Sequence, residues 1–351
     1  MTSSELSVEH LDTAVLIGAI PLFAFEVRHA SFFEDSRALL VQVFPEWSND
    51  ELVLNQCKDG ITNKLMQCTN KRVGKTVLVR AYGKRTEVII DRNQELINMA
   101  GLTRLGMCPE LYARFDNGLV YGYIPGTVAK PEEMGSELWA PLIAKRLAEW
   151  SKVKLPGDHS PQLFPIIRRW MKDIPADYEN QRANDIFHKH FSLEMLNDEA
   201  NLLESTLTAL HSPVVFAHND LLSGNIVMAE TKDAVSFIDY EYAMYNYRGF
   251  DIANHFNEYA GFECDYSRYP AKSTQLQWFK TYLDHLGQDS SPAALEVVYH
   301  EVKLFQLASH FYWGVWALVQ ASISDIDFDY MVYARLRFLQ YFQVKSLVLG
   351  D

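Results

Sequence analysis

The chain has 351 residues, 48% of them hydrophobic, which predicts about two domains or lobes around a large buried core. A formal net charge of −13 argues against a nucleic-acid binder or a protein of anionic membrane surfaces, because both need basic patches. Four cysteines without a paired or metal-ligand spacing predict buried thiols in a reducing compartment.

The apolar segment nearest the N-terminus, residues 14–25, is shorter than the roughly 18 apolar residues expected of a spanning helix. It contains Pro21, and acidic Glu5, Glu9 and Asp12 precede it where a signal peptide would be basic. The sequence therefore predicts a cytoplasmic protein without membrane insertion.

The first lobe begins with a helix predicted over residues 31–44, where Ser31 and Glu34 have the spacing of a capping box. Short apolar runs predict strands over residues 52–54, 77–82 and 87–90. A helix is predicted after them, around residues 93–105. Hairpins with one helix at their end predict a small β-rich lobe.

Two features of this lobe allow alternative interpretations. The polar turn at 58–64 has a single glycine, so on its pattern it is a hairpin turn, although its backbone N–H groups could cover phosphates. Arg80 lies within an apolar strand, where it either faces solvent or needs a buried partner, and Glu95 on the next helix is the candidate.

A strand over residues 119–124 ends at Pro125-Gly126, and this break predicts the boundary between the lobes. Beyond it, apolar residues recur at three- and four-residue spacing, which predicts helices over 136–151, 161–173, 194–211, 272–286 and 292–321. We expect an N-terminal lobe at 1–121, a hinge at 122–126 and a C-terminal lobe at 127–351.

The segment from Val214 to Glu258 carries the chemistry. Asp220 follows a short apolar strand, Asn225 comes five residues later, and Asp239 ends a further strand. One Asp can orient an attacking hydroxyl and accept its proton, while an Asn and a second Asp offer hard oxygens to Mg²⁺. The spacing has the form of a kinase catalytic loop, although Tyr240-Glu241 replaces Phe-Gly after the metal-binding Asp.

A helix starting near Asp251 places that residue and Glu258 on one face. Asp251 fits either a charge at a helix N-terminus or a brace for the catalytic loop. Further on, Trp313 and Trp316 lie three residues apart and share a helix face. Such a stripe is either core or an aromatic wall for a cation.

Two stretches of the sequence closely resemble the choline/ethanolamine kinase family: HNDLLSGN (218–225) and FIDYEYAMYNYRGFDIANHFNEYAG (237–261). NHFNEYAG is similar to the ethanolamine kinase branch, as is Leu222-Ser223, where choline kinases have a polar Gln-Glu pair. Residues 247–250, in contrast, are shared with choline kinases, so choline or dual use remains the alternative.

The resemblance implies an α+β, bilobal protein-kinase-like fold, with a small β-rich N-terminal lobe and a large, mainly helical C-terminal lobe. It also implies ATP and Mg²⁺ as cofactors and phosphorylation of ethanolamine, the first step of phosphatidylethanolamine synthesis by the CDP-ethanolamine route. The implied nucleotide-binding residues are Asn63 in the 58–64 turn, Arg80, Glu95, and Gly122 and Ile124 at the hinge. The implied catalytic and metal residues are Asp220, Asn225 and Asp239, and the implied amine-binding residues are Glu258, Trp313, Trp316 and Tyr333.

Two rival functions remain. A pseudokinase acting as a binding module would lack one of the three catalytic residues, and an aminoglycoside-type phosphotransferase would carry acidic residues in place of a tryptophan cage. The expected partners are the small molecules ethanolamine and ATP, without nucleic acid. The sequence leaves the oligomeric state open, with a homodimer as one arrangement.

Overall fold

A computed structural model describes residues 6–57, 63–83 and 85–350. The chain divides into two compact units: the first is Ser7–Pro125, and the second comprises Leu6 and the chain from Gly126 onward.

The first unit is built on a six-stranded sheet with strand order β1-β5-β6-β4-β3-β2. Its strands are β1 (Leu22–Phe23), β2 (Leu52–Cys57), β3 (Asn63–Asn70), β4 (Lys75–Tyr82), β5 (Leu111–Phe115) and β6 (Gly118–Gly122). β1 pairs with β5 in parallel, and every other neighbouring pair is antiparallel. The helices are α1 (Thr13–Gly18), α2 (Phe32–Val43) and α3 (Arg92–Arg104).

One face of this sheet forms the core of the first unit. Alternate residues of β4, namely Val77, Val79 and Ala81, are fully buried and pack with Leu39 and Leu40 of α2. The two-residue period of a strand sends these side chains to a single face, which the apolar side of the helix covers.

The second unit is mainly helical. Its helices are α4 (Trp139–Trp150), α5 (Leu163–Lys172), α6 (Gln181–His190), α7 (Leu193–Thr208), α8 (Arg248–Asn257), α9 (Lys272–Leu286), α10 (Pro292–Ile323) and α11 (Tyr330–Leu349). Short strands form two small sheets, ordered β10-β9-β7 and β11-β8. These strands are β7 (Thr127–Val128), β8 (Val214–Ala217), β9 (Ile226–Met228), β10 (Val235–Phe237) and β11 (Met244–Tyr247).

The core of this unit surrounds α8, all ten of whose residues are buried. α8 packs against α10, which in turn packs against α11. Gly314 of α10 makes this last contact close, because a Cβ there would lie 2.5 Å from the Phe338 ring. Among the described residues, no helix has both the length and the apolar character needed to cross a membrane.

Three local predictions were wrong. The Ser31 side chain does not cap α2, because its hydroxyl donates to Asp35 at 2.7 Å. The apolar run at 87–90 is not a strand: Thr86–Val88 forms a 3-10 turn, with Thr86 Oγ1 bonded to the carbonyl of Gly83. The helix expected near Asp251 begins three residues earlier, at Arg248, directly after β11.

Candidate active site

Asp220 lies on the loop that leaves β8, where the backbone turns sharply. Asn219 adopts a left-handed conformation with φ 64°, which Asn tolerates better than most residues. Asp220 is 8% exposed, so its carboxylate lies at the edge of the buried core. The β8–β11 pairing fixes the strand from which this loop departs.

Hydrogen bonds hold Asn219 on both sides of its peptide group. Its N–H donates to Asp251 at 2.8 Å, and its carbonyl accepts from Asn254 Nδ2 at 3.0 Å. Its side-chain amide donates to the carbonyl of Tyr242 and accepts from Asn246. The residue before Asp220 is thus fixed by α8 and by the segment through β11. The expected brace by Asp251 is confirmed, since this carboxylate also accepts the N–H of His218 at 3.0 Å.

Two buried histidines support the same loop in their neutral form. His255 Nδ1 lies 3.0 Å from the carbonyl of Leu221, and His218 Nε2 lies 3.0 Å from the carbonyl of Ile238. Because a carbonyl oxygen only accepts, these nitrogens carry the ring proton. Burial lowers the pKa of both histidines to about 4, so both are uncharged at neutral pH.

Asn225 is joined directly to Asp220. Its Nδ2 donates to the carbonyl of Asp220 at 2.8 Å and to Asp220 Oδ2 at 3.1 Å. These bonds leave the amide oxygen as the atom of Asn225 that can bind a cation. Ile238, which directly follows β10, donates its N–H to the Asn225 carbonyl at 3.0 Å. Asp239 is the next residue after Ile238 and adopts a left-handed conformation with φ 62°.

Negative charge converges on Asp220. Burial raises its pKa well above the usual value, and Asp239, Glu258 and Glu241 raise it further. In the described part of the chain, no group of three or more His, Cys, Asp or Glu residues forms a metal cluster. The donors present instead are carboxylate oxygens and the Asn225 amide oxygen, the hard ligands that suit Mg²⁺. Glu241, 6% exposed, was noted in the sequence only as a departure from the kinase pattern.

The predicted aromatic residues lie together in the second unit. Trp313 and Trp316 have ring centroids 5.4 Å apart, and the Tyr333 ring lies 6.5 Å from that of Trp316. Both indole N–H groups are bonded, Trp313 to Asn254 Oδ1 at 2.7 Å and Trp316 to the Tyr242 hydroxyl at 2.8 Å. Asn254 therefore bonds both Trp313 and the loop that carries Asp220, a connection that the helical spacing alone did not predict.

Glu258 has a buried partner that sequence reasoning missed. Arg337 of α11 is 1% exposed, and its guanidinium donates to Glu258 Oε1 at 2.7 Å and to the Tyr333 hydroxyl at 3.2 Å. Burial works against its charge, yet Tyr333, Tyr266 and Glu258 keep its pKa well above the ordinary value. The signal available in the sequence was an Arg inside the apolar helix pattern that follows Tyr333.

The predicted nucleotide-binding residues lie in the first unit. Arg80 and Glu95 form the expected buried ion pair, and Arg92 binds the other carboxylate oxygen of Glu95 at 2.9 Å. Arg92 also donates to Asn63 Oδ1 at 3.0 Å, so Asn63 at the start of β3 joins this cluster. Most of the 58–64 turn, residues 58–62, lies outside the described residues.

The two residues predicted at the hinge lie at the end of β6 and just beyond it. Gly122 pairs with Val77 of β4 and donates its N–H to the carbonyl of Glu110 at 2.8 Å. Ile124 follows in irregular backbone and is half-buried.

An α+β fold that carries a buried Asp, an Asn bonded to it and a strand-end Asp defines a kinase-like phosphotransferase. The family described as choline/ethanolamine kinase matches residues 54–342. The chain belongs to the choline/ethanolamine kinase family, which confirms the resemblance and the fold class drawn from the sequence.

Individual relatives cover nearly the whole chain. Ethanolamine kinase 2 of Mus musculus is 41% identical over 94% of this chain and 86% of its own length. Probable ethanolamine kinase A of Dictyostelium discoideum is 39% identical over 87% of this chain and 90% of its own. The solved structure of a Plasmodium vivax ethanolamine kinase matches with a TM-score of 0.81 and 28% identity, covering 97% of this chain and 96% of that one.

Proposed function

We propose that this protein transfers the γ-phosphoryl group of ATP to the hydroxyl of ethanolamine, giving phosphoethanolamine. The observation that carries the substrate assignment is the near full-length similarity to ethanolamine kinase 2 of Mus musculus and to probable ethanolamine kinase A of Dictyostelium discoideum. The finer parts of this proposal are ATP as donor, Mg²⁺ as metal and a cytoplasmic location.

Asp220 is the proposed base and positioning residue. Its carboxylate orients the ethanolamine hydroxyl and accepts its proton, and a pKa raised by burial suits a group that must take a proton. The bonds from Asn225 and the fixed peptide of Asn219 hold this carboxylate in one orientation. Because phosphoryl transfer is mostly positioning and charge neutralisation, little covalent chemistry is required of the protein.

Asn225 and Asp239 are the proposed Mg²⁺ ligands, and Glu241 adds a further carboxylate beside them. Mg²⁺ held by these residues would supply positive charge to neutralise the phosphates. The convergence of Asp239, Glu241 and Glu258 on Asp220 supports this assignment, because a divalent cation offsets their mutual repulsion.

We assign the nucleotide contacts to residues of the first unit and the amine contacts to residues of the second. The nucleotide contacts are Asn63, Arg80, Glu95, Gly122 and Ile124. The amine contacts are Asp220, Glu258, Trp313, Trp316 and Tyr333. A choline or dual kinase is the second candidate, favoured by the three aromatic rings, which suit any amine cation through cation–π attraction.

The test is ATP consumption by purified protein with ethanolamine, with and without Mg²⁺, followed by competition between ethanolamine and choline. We expect Mg²⁺-dependent formation of phosphoethanolamine. A protein that binds ATP and consumes none with either amine would contradict the proposal and favour a pseudokinase.

A further inference from the structure

A continuous chain of buried hydrogen bonds joins Glu258 to the residue before Asp220. Arg337 binds Glu258 Oε1 at 2.7 Å and Ser309 Oγ at 3.1 Å. Ser309 Oγ donates to Asn254 Oδ1 at 2.9 Å, and Asn254 Nδ2 donates to the carbonyl of Asn219 at 3.0 Å. All five side chains or peptides are buried, so water does not compete for these bonds.

Arg337 is the branching point of this chain. Its guanidinium also bonds the hydroxyl of Tyr333 and the carbonyl of Ser309, both at 3.2 Å. A planar fork with several donors can satisfy these acceptors together, whereas a Lys ammonium on a flexible stem cannot reproduce the arrangement. The position of Arg337 therefore fixes the Glu258 carboxylate with respect to α10.

The ion pair changes what Glu258 can offer to an amine. Glu258 and Arg337 together carry no net charge, so Glu258 attracts a cation less through surplus charge than through a directed hydrogen bond. Its second carboxylate oxygen can accept an N–H from a primary ammonium. A trimethylated ammonium has no N–H donor and gains nothing from that acceptor.

We propose that Arg337 is a positioning residue that determines specificity in the amine site. It holds Glu258 as an acceptor for a primary ammonium and, through Ser309 and Asn254, links that acceptor to the backbone that carries Asp220. The inference rests on the proposed function and adds to it the residue that makes the amine site selective.

A purely structural role for Arg337 predicts a different result. Removing one partner of a buried ion pair lowers stability in either case, because the charge of the other partner is left uncompensated. A structural role would change the kinetics with ethanolamine and with choline by the same factor. A positioning role would change the kinetics with ethanolamine more than those with choline. Loss of Arg337 would then affect mainly KM, and loss of the Ser309 hydroxyl would affect mainly kcat.

Two variants and one control make the test. Arg337→Gln removes the charge and most of the donors, while Ser309→Ala interrupts the chain with the loss of one hydroxyl. Lys345→Gln is the control, because Lys345 also forms an ion pair from α11, with Glu199 at 2.9 Å. For each protein we would measure kcat and KM with both amines and the midpoint of thermal unfolding.

We expect Arg337→Gln to raise KM for ethanolamine about tenfold to a hundredfold and KM for choline less than about threefold. Ser309→Ala should lower kcat about threefold to tenfold with little change in KM for ethanolamine. If Arg337→Gln does not fold, the kinetics of Ser309→Ala test the inference. Lys345→Gln should lower the unfolding midpoint and preserve the ratio of the two amines.

Equal losses with both amines in Arg337→Gln, or an unchanged kcat in Ser309→Ala, would overturn the inference. These results are distinct from failure of the proposed function, which would appear in the unmutated protein as absence of turnover with ethanolamine.

Discussion

The Asp251 carboxylate accepts the backbone N–H of Asn219 at 2.8 Å through Oδ1 and that of His218 at 3.0 Å through Oδ2. We expect Asp251→Asn to lower kcat at least about tenfold, because an amide has one acceptor oxygen and turns a donor towards the other N–H. Steady-state kinetics with a fixed-temperature check of folding would measure this. Wild-type kcat in a folded variant would mean that the brace does not matter to turnover.

The proposed base gives a second prediction. Asp220→Asn should reduce kcat by about two to four orders of magnitude, because the amide cannot take the hydroxyl proton. ATP binding should be largely retained, since the carboxylate contacts the acceptor and not the nucleotide. Rapid-quench kinetics and ATP titration would separate the two effects. An unchanged kcat removes Asp220 from the mechanism.

The metal assignment predicts a third result. Asp239→Asn should leave a folded protein whose turnover no longer rises with Mg²⁺ in the range that activates the unmutated enzyme. The reason is the loss of one anionic oxygen from a site otherwise completed by Asn225. Titration of activity with Mg²⁺ at fixed ATP is the measurement. Wild-type rates at the same Mg²⁺ concentration would show that Asp239 is not a ligand.

The buried titratable groups predict acid sensitivity. His218, His255 and His310 have pKa values lowered from 6.5 by burial, the first two to about 4, while burial raises the pKa of Asp251 to about 6 and also raises that of Asp220. Between about pH 6 and about pH 4, the histidines are neutral in the folded protein and bind protons when it unfolds. The two carboxyls are protonated in the folded protein and release their protons on unfolding, which opposes the effect of the histidines.

The three histidines that gain protons on unfolding outnumber the two carboxyls that release them, so stability falls as the pH falls through this window. Denaturant unfolding across that window would measure the slope. His255→Asn keeps a side-chain donor and removes one titrating group, so its stability should depend little on pH there. An unchanged slope in this variant would contradict the neutral buried state of His255.

Most elements could be predicted from periodicity. The strands around Asp220 and the long helices α4, α5, α7, α9 and α10 lie within a few residues of their predicted ranges. The misses have local causes. At Ser31 the hydroxyl donates to the side chain of Asp35, four residues further along the chain, and not to the backbone as the capping pattern predicted. α6 and α11 gave no prediction, because α6 has few apolar residues and α11 carries apolar residues such as Leu339 and Phe342 on its exposed side as well as on its buried side.

The loop that carries Asp220 could be recognised from the sequence because its contacts are local: Asp220 and Asn225 are five residues apart and bond directly. The Glu258 partner was not, since Arg337 lies 79 residues away and its charge is compensated only in three dimensions. The bond from Trp313 to Asn254 was likewise hidden, because it joins two helices whose spacing the sequence does not encode.

The proposed amine site predicts that substitutions of Glu258 and Trp313 affect ethanolamine and choline to different degrees. Glu258→Gln should reduce kcat/KM more for ethanolamine than for choline, because a charged acceptor for N–H donors is lost. Trp313→Leu should reduce kcat/KM for choline at least as much as for ethanolamine, since cation–π attraction is worth about 0.5–2 kcal/mol per ring. Parallel kinetics with both amines would measure these effects. The same ratio of amines in both variants would contradict the division of roles.

The assignment of ethanolamine as the preferred substrate is tested most directly by kcat/KM of the unmutated enzyme for ethanolamine and for choline, measured in one assay with saturating ATP and Mg²⁺. A primary ammonium has N–H donors for Glu258, which Arg337 holds at 2.7 Å, and choline has none. We expect a higher kcat/KM for ethanolamine. An equal or higher value for choline would contradict it.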